Sequence, residues 1–411
     1  MKNIYWVLGG ILVSLLINAF VLETTIFKQY HEISNDLIFL FIGLYLLYFH
    51  FTKRLKGFIS FTFPIILFCL TPMISTILGN LLKDNYTLFS IFANFLACIL
   101  WSFILLKLTG KVTFNQKASN KSVIMSLSSI VIFFIFFSLF LQTYKTPIEN
   151  ATEELWEYSY GLLDFNLLIN ASSFLIVSFV LFLIFPSSLF KRVIHEVVHL
   201  DKIKVGFFYL LIIYFISNGF VLGVELLSNQ PISSLIAEIG VLNLVGSFIG
   251  LVFGVALYEE AMFRLFLPVL LVILLSNYLK KRHAIFLAML ISSVLFAFVH
   301  TITGFGGFDQ LDYAMAINRL FGLFLMGQIF IYLYVITKNL WIPIIVHTLN
   351  DYGLPFFLFV DFSNNSFVNV IWVIVFISII LIQHENGTSS NKDNILTANS
   401  MRNEDSKPVY K

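Results

Sequence analysis

The stretch LVGSFIGLVFGVALYEEAMFRLFLPVLLVILLSNY (244–278) is apolar from end to end except at Glu259, Glu260 and Arg264. Crossing a hydrocarbon core of ~30 Å takes about 20 helical residues. This run is longer than that and contains Pro268, so the sequence reads it as more than one straight helix. A charged side chain at a bilayer centre costs roughly 2.5–3.5 kcal/mol even on a lenient insertion scale, which sends such groups to a protein-lined cavity. On a helix Glu260 and Arg264 are four apart with the acid first, the favourable order for an ion pair. Glu259, about 100° further round, is left without a local partner. A carboxylate short of water and beside another carboxylate has the character of a general base. These residues alone equally suit a structural ion-pair cluster or the proton site of a transporter.

The surrounding chain is built of the same material. Of 411 residues, 59% are hydrophobic and 12% charged, about half the charged share usual in soluble proteins. Further apolar runs lie near 4–22, 37–52, 58–79, 87–106, 122–143, 161–185, 205–226, 284–303, 319–337, 340–360 and 366–383. No alternating ten-residue pattern suggests a barrel. The expected fold is all-α, a polytopic transmembrane helical bundle of about eleven or twelve spans. The run at 4–22 lacks a small-residue cleavage site and reads as a retained helix.

Lys and Arg cluster in alternate loops, at 53–56, 107–121, 191–204 and 280–282, whereas 144–160 is acidic and 227–242 has neither residue. The basic loops mark the inner side. The expected setting is a bacterial cell membrane with both termini cytoplasmic. A net charge of +2 offers nothing to nucleic acid. Cys69 and Cys98 fall inside spans and read as packing residues. The expected organisation is an N-terminal membrane region over 1–185 without assigned chemistry, a cytoplasmic amphipathic loop over 186–204, a core over 205–383 and a polar, disordered tail over 384–411. In the first region Asp164 is the main ionisable residue within a span, and the region reads as scaffold or as the docking half for a partner protein.

HEVVH (195–199) is the rival candidate site. His195 and His199 would share a helix face and could grip a zinc ion, with Glu196 activating its water. Such a site needs a third protein ligand. The nearest downstream carboxylates, Glu225 and Glu238, lie beyond a run of about 20 residues that spans roughly 30 Å, so His283 or an early loop residue would have to complete it. The alternative reading is an interfacial helix with Val193, Val197, Leu200 and Lys204 on one stripe. Spacing and flanks favour the interfacial helix.

Two more polar pairs lie in apolar runs: FAFVH (296–300) and HTLND (347–351). Each His sits one turn from a second singled-out residue, Phe296 for His300 and Asp351 for His347. Two histidines from different helices together with a Glu-Glu-x-x-x-Arg helix give the acid, base and donor set of a hydrolase. In order, EEAMFR (259–264), FAFVH and HTLND resemble the EExxxR, FxxxH and HxxxN/D motifs of the CPBP family of intramembrane proteases, also called ABI, and KNLWIPIIVH (338–347) resembles that family's approach to its last histidine. The resemblance covers roughly 205–360.

The resemblance implies an intramembrane endopeptidase acting on a membrane-associated or lipidated peptide or protein within the lipid bilayer. It assigns water activation to Glu259 with His300 holding the water, a supporting ion pair to Glu260 and Arg264, and oxyanion stabilisation to His347 and the residue four beyond. Here that residue is Asp351, which donates only when protonated. Asp351 could instead orient His347, or Asn350 could supply the amide. Glu259, His300 and His347 could also hold a divalent metal such as zinc with one open position. Bacterial members are linked to peptide maturation and bacteriocin immunity, so an idle scaffold or immunity factor stands beside the transporter as an alternative.

Depth poses a difficulty for this set. Counted from the outer end of its run, Glu259 lies about 22 Å in, while His300 returns toward the outer side. Starting the glutamate helix near Ala256, with 244–254 as a separate segment, levels the two. His347 then needs a broken or tilted helix.

Overall fold

The computed structural model describes residues 31–52, 86–111, 120–159, 197–228, 241–303 and 313–352, with positions 9, 10, 13, 14, 63, 66, 71, 74, 77, 78, 163, 175, 176, 179 and 195. Among them every regular element is helical. Helix α1 is His31–Thr52, α2 Tyr86–Leu108, α3 Asn120–Tyr158 and α4 Leu200–Ser228. Helix α5 is the uninterrupted series Val241–Ile249, Gly250–Ala256, Leu257–Glu260, Ala261–Phe266 and Leu267–Leu275. Helices α6 (Lys281–Thr303), α7 (Tyr313–Thr337) and α8 (Trp341–Tyr352) follow. The segments Thr87–Leu108, Lys281–Thr301 and Tyr313–Thr337 are long and apolar enough to cross a membrane. The protein is an integral membrane protein with a helical fold. Cys69, Asp164, Glu196, Glu238 and the tail lie outside the described residues.

Two expectations about 244–278 are corrected. The stretch does not divide: helical backbone runs on from Val241 to Leu275, so 244–254 is no separate segment. Length is absorbed by two widened turns of π-helix, in which Leu257 N–H reaches Val252 O and Leu267 N–H reaches Met262 O, each five residues back. Single π turns inside α-helices recur at functional sites, and here they bracket the four residues that carry both glutamates. Pro268 falls in the first turn after the second widening, where its missing donor costs least.

Packing then sets the neighbours. The short link 276–280 folds α6 back along α5, and Ser292 Oγ donates to the carbonyl of Phe263 in the widened turn. Helix α7 lies close against α6, since a Cβ on Gly327 would stand only 3.0 Å from Ser293 Cα. Small residues permit this approach where lipid gives no hydrophobic drive to helix pairing. On α2, Ser90, Asn94, Cys98 and Ser102 recur every fourth residue and meet α7 through Asn318 Oδ1 (3.1 and 3.0 Å), Phe321 O (3.4 Å) and Gln328 Nε2 (2.6 Å). In turn α1 docks on α2, with Trp101 Nε1 donating to Phe39 O at 3.2 Å.

Candidate active site

Helices α5, α6 and α8 each bring one part of a buried polar cluster. Glu259 Oε2 is 3.0 Å from His300 Nε2 and 3.6 Å from His347 Nε2. Glu260 divides its oxygens, with Oε2 3.0 Å from Arg264 Nε and Oε1 2.9 Å from His347 Nδ1. Asp351 Oδ2 approaches His347 Nε2 at 3.2 Å, and Asn350 Nδ2 donates to Asp351 Oδ1 at 3.2 Å. All six residues named from the sequence therefore meet in one place.

Depth is resolved by counting from the shared link rather than from the outer end. Glu259 stands 16 residues before Leu275 and His300 stands 19 residues after Lys281, so both lie about 24–29 Å from the link. His347 arrives level because α8 begins beside Phe253, six residues before Glu259: Trp341 and Phe253 have ring centroids 6.0 Å apart. Six residues further along α8, His347 meets Glu259 and Glu260.

Accessibility separates the roles these groups can play. Glu260 and Arg264 side chains are 0% exposed, Glu259 is 15% exposed, His300 25% and Asp351 33%. Glu259, His300 and Asp351 line the open side of the cluster, and Glu260 with Arg264 forms its floor. Arg264 Nη1 and Nη2 are buried without a hydrogen-bond partner among the described residues. Its guanidinium instead lies over two ring faces, 4.5 Å from Phe296 and 5.3 Å from Phe330, where cation–π attraction takes the place of solvent.

Hydrogen-bond bookkeeping fixes where protons can sit. His300 Nδ1 is 2.9 Å from Phe296 O, an acceptor, so Nδ1 carries hydrogen and the neutral ring would offer only a lone pair at Nε2. That lone pair stands 3.0 Å from Glu259 Oε2, close enough for a proton to pass between the two groups. His347 is oriented through Nδ1 by Glu260, a contact the sequence reading missed because it gave Glu260 only to Arg264. Asp351 meets the opposite nitrogen, Nε2, so the ring has a carboxylate at each side. Phe330 was also missed: it stacks on His347 at 4.8 Å and 23°, and no spacing along the chain links residue 330 to the motifs.

These separations are those of a hydrogen-bonded network, and among the described residues no group of three or more His, Cys, Asp or Glu is arranged to hold a metal.

HEVVH lies apart. His195 is exposed, with its ring centroid 4.6 Å from that of His199, whose Nδ1 is buried without a hydrogen-bond partner. Trp341 Nε1 donates to Val197 O at 2.9 Å, and Asn339 Nδ2 to Lys202 O at 3.0 Å, so this segment is docked on the start of α8. Of the expected stripe, Val197 is buried and Leu200 is 68% exposed, and Val193 lies outside the described residues. Glu225 is 25 residues along unbroken α4 from Leu200, about 38 Å of axis, too far to complete a site with His199.

Residues 241–353 match the family model described as type II CAAX prenyl endopeptidase Rce1-like. No curated protein and no solved structure matches the chain.

Proposed function

We propose that the domain at 241–353, an intramembrane endopeptidase domain of the Rce1-like type II CAAX prenyl endopeptidase family, hydrolyses a peptide bond in a lipidated or membrane-embedded peptide by means of a water activated by Glu259. The observation that carries this reading is the convergence of Glu259 with imidazoles from two other helices, at 3.0 and 3.6 Å. Glu259 is accessible from the open side and stands over a floor that is already ion-paired, which leaves it free to exchange a proton.

In this scheme the proton shared between Glu259 and His300 rests on His300 as the reaction begins. Glu259 takes a proton from water, and the hydroxide attacks the scissile carbonyl carbon. As the carbonyl π bond opens, charge gathers on the oxygen, where N–H donors stabilise it best. His347 Nε2–H, 3.2 Å from Asp351 Oδ2, is the donor this scheme assigns to that oxygen, turning to it from Asp351 as the charge develops. Collapse of the tetrahedral intermediate breaks the C–N bond, and the amine leaves with a proton returned by Glu259 or His300. Glu260, anchored by Arg264, keeps the imidazole of His347 turned toward the substrate, as a buried carboxylate does for histidine in other hydrolases.

The test is turnover of an internally quenched prenylated CAAX peptide by the purified full-length protein in lipid. Cleavage by the wild type and none by Glu259→Gln at equal thermal stability supports the reading. Equal cleavage by both sinks it.

A further inference from the structure

We propose that Phe330 on α7 is a positioning residue of the site, one side chain that fixes both the plane of the His347 ring and the seat of the Arg264 guanidinium. The inference rests on the proposed hydrolase reading for its kinetic consequence, though not for its geometry. Phe330 is 1% exposed and lies one turn from Gly327, where α7 approaches α6 closely.

His347 has in-plane partners at both nitrogens: Glu260 at Nδ1, and Asp351 with Glu259 at Nε2. Two contacts at opposite sides of a ring leave it free to rock about the line joining them. A face contact removes that freedom, and Phe330 supplies it at 4.8 Å between centroids and 23° between planes. Phe296 meets the same imidazole only edge-on, at 6.2 Å and 75°, and so does not replace the stack.

Phe330 also lies under the guanidinium of Arg264, opposite a group whose Nη atoms have no hydrogen bond to hold them. Phe296 holds the guanidinium more closely, at 4.5 Å, and Phe330 is the second ring against it, so loss of Phe330 loosens the seat of Arg264 and, through its Nε contact, that of Glu260. Both losses reach the reacting atoms through His347, so the expected defect is in turnover rather than in substrate binding.

The experiment uses the full-length protein in lipid with the quenched prenylated peptide. Phe330→Leu should lower kcat about tenfold with KM held within about twofold, the signature of misplaced rather than missing machinery. Phe330→Tyr and Phe330→Trp, which restore a face, should recover most of the rate. A second readout is independent of cleavage: the ring protons of His347, assigned by their loss in His347→Gln, should be shifted by the ring current in the wild type and in Phe330→Tyr, and should relax in Phe330→Leu. Wild-type kcat in Phe330→Leu overturns the proposal, as does a loss that neither aromatic variant recovers at matched thermal stability. If the wild type leaves the peptide uncut, the functional reading fails and the ring signals alone decide. Unchanged His347 signals in Phe330→Leu then refute the stack, and faster motion of the His347 ring in Phe330→Leu, read from relaxation of its ring signals and reversed in Phe330→Tyr, upholds the positioning role.

Discussion

HEVVH (195–199) and YEEAMFR (258–264) each place two ionisable side chains one helical turn apart in an apolar setting. Their surroundings could hardly differ more. Around HEVVH the bonds to the start of α8 run through backbone carbonyls, those of Val197, Lys202 and Lys338, and among the described residues its two histidine rings meet each other. Around YEEAMFR both glutamates are engaged by side chains from other helices, His300 from α6 and His347 from α8. A four-residue spacing determines which groups share a face. It becomes a site only when another element delivers complementary chemistry to that face.

The comparison can be broken most directly at the two candidate bases. Glu259→Gln should lower peptide cleavage by about 100- to 10,000-fold, the range of a lost acid–base group, while Glu196→Gln leaves it unchanged. The reverse pattern in the same cleavage assay would return the site to HEVVH.

Next in size is the floor of the cluster. Arg264→Met strands a fully buried carboxylate and should cost about 3–5 kcal/mol in denaturant unfolding. Adding Glu260→Gln removes the stranded charge and keeps an acceptor for His347 Nδ1, so the double variant should regain part of that stability. Strict additivity of the two losses would mean that the pair is not coupled.

A smaller effect is expected where HEVVH is anchored. Trp341→Phe leaves the Val197 carbonyl without its donor and should destabilise by about 1–3 kcal/mol, with kcat per folded molecule preserved. A fall in kcat at unchanged fold would instead tie the segment to the chemistry.

Smallest of all should be His195→Ala combined with His199→Ala. Exposed or weakly partnered groups of this kind change stability by about 0.5 kcal/mol or less, and exhaustive chelation should leave both this variant and the wild type equally active. Inactivation of the wild type by chelation, restored by added zinc, would contradict the hydrogen-bonded network described for Glu259.

The site was legible in the sequence to the extent that it is local. The Glu260–Arg264 pair and the turn from His347 to Asp351 were expected from four-residue spacing on a helix, and both pairs are in contact. Apolar runs likewise announced a membrane-spanning helical bundle, because lipid leaves the backbone few other ways to satisfy its hydrogen bonds. Which of Val197 and Leu200 is covered could not be read from residue types, because it depends on the docking of Trp341 against Val197. Pro268 suggested an interruption that two π turns absorb.

Register between helices was set by packing. Glu259 and His300 come level because they lie at similar distances from a link at 276–280, and His347 joins them because Trp341 starts α8 beside Phe253. The second oxygen of Glu260 found His347, and Phe330, one turn from the close contact of Gly327 with Ser293, found two partners. Periodicity along one helix is set by backbone geometry that every residue shares. The offset of one helix against its neighbour is set by which side chains interlock, and that is settled only when both surfaces are present.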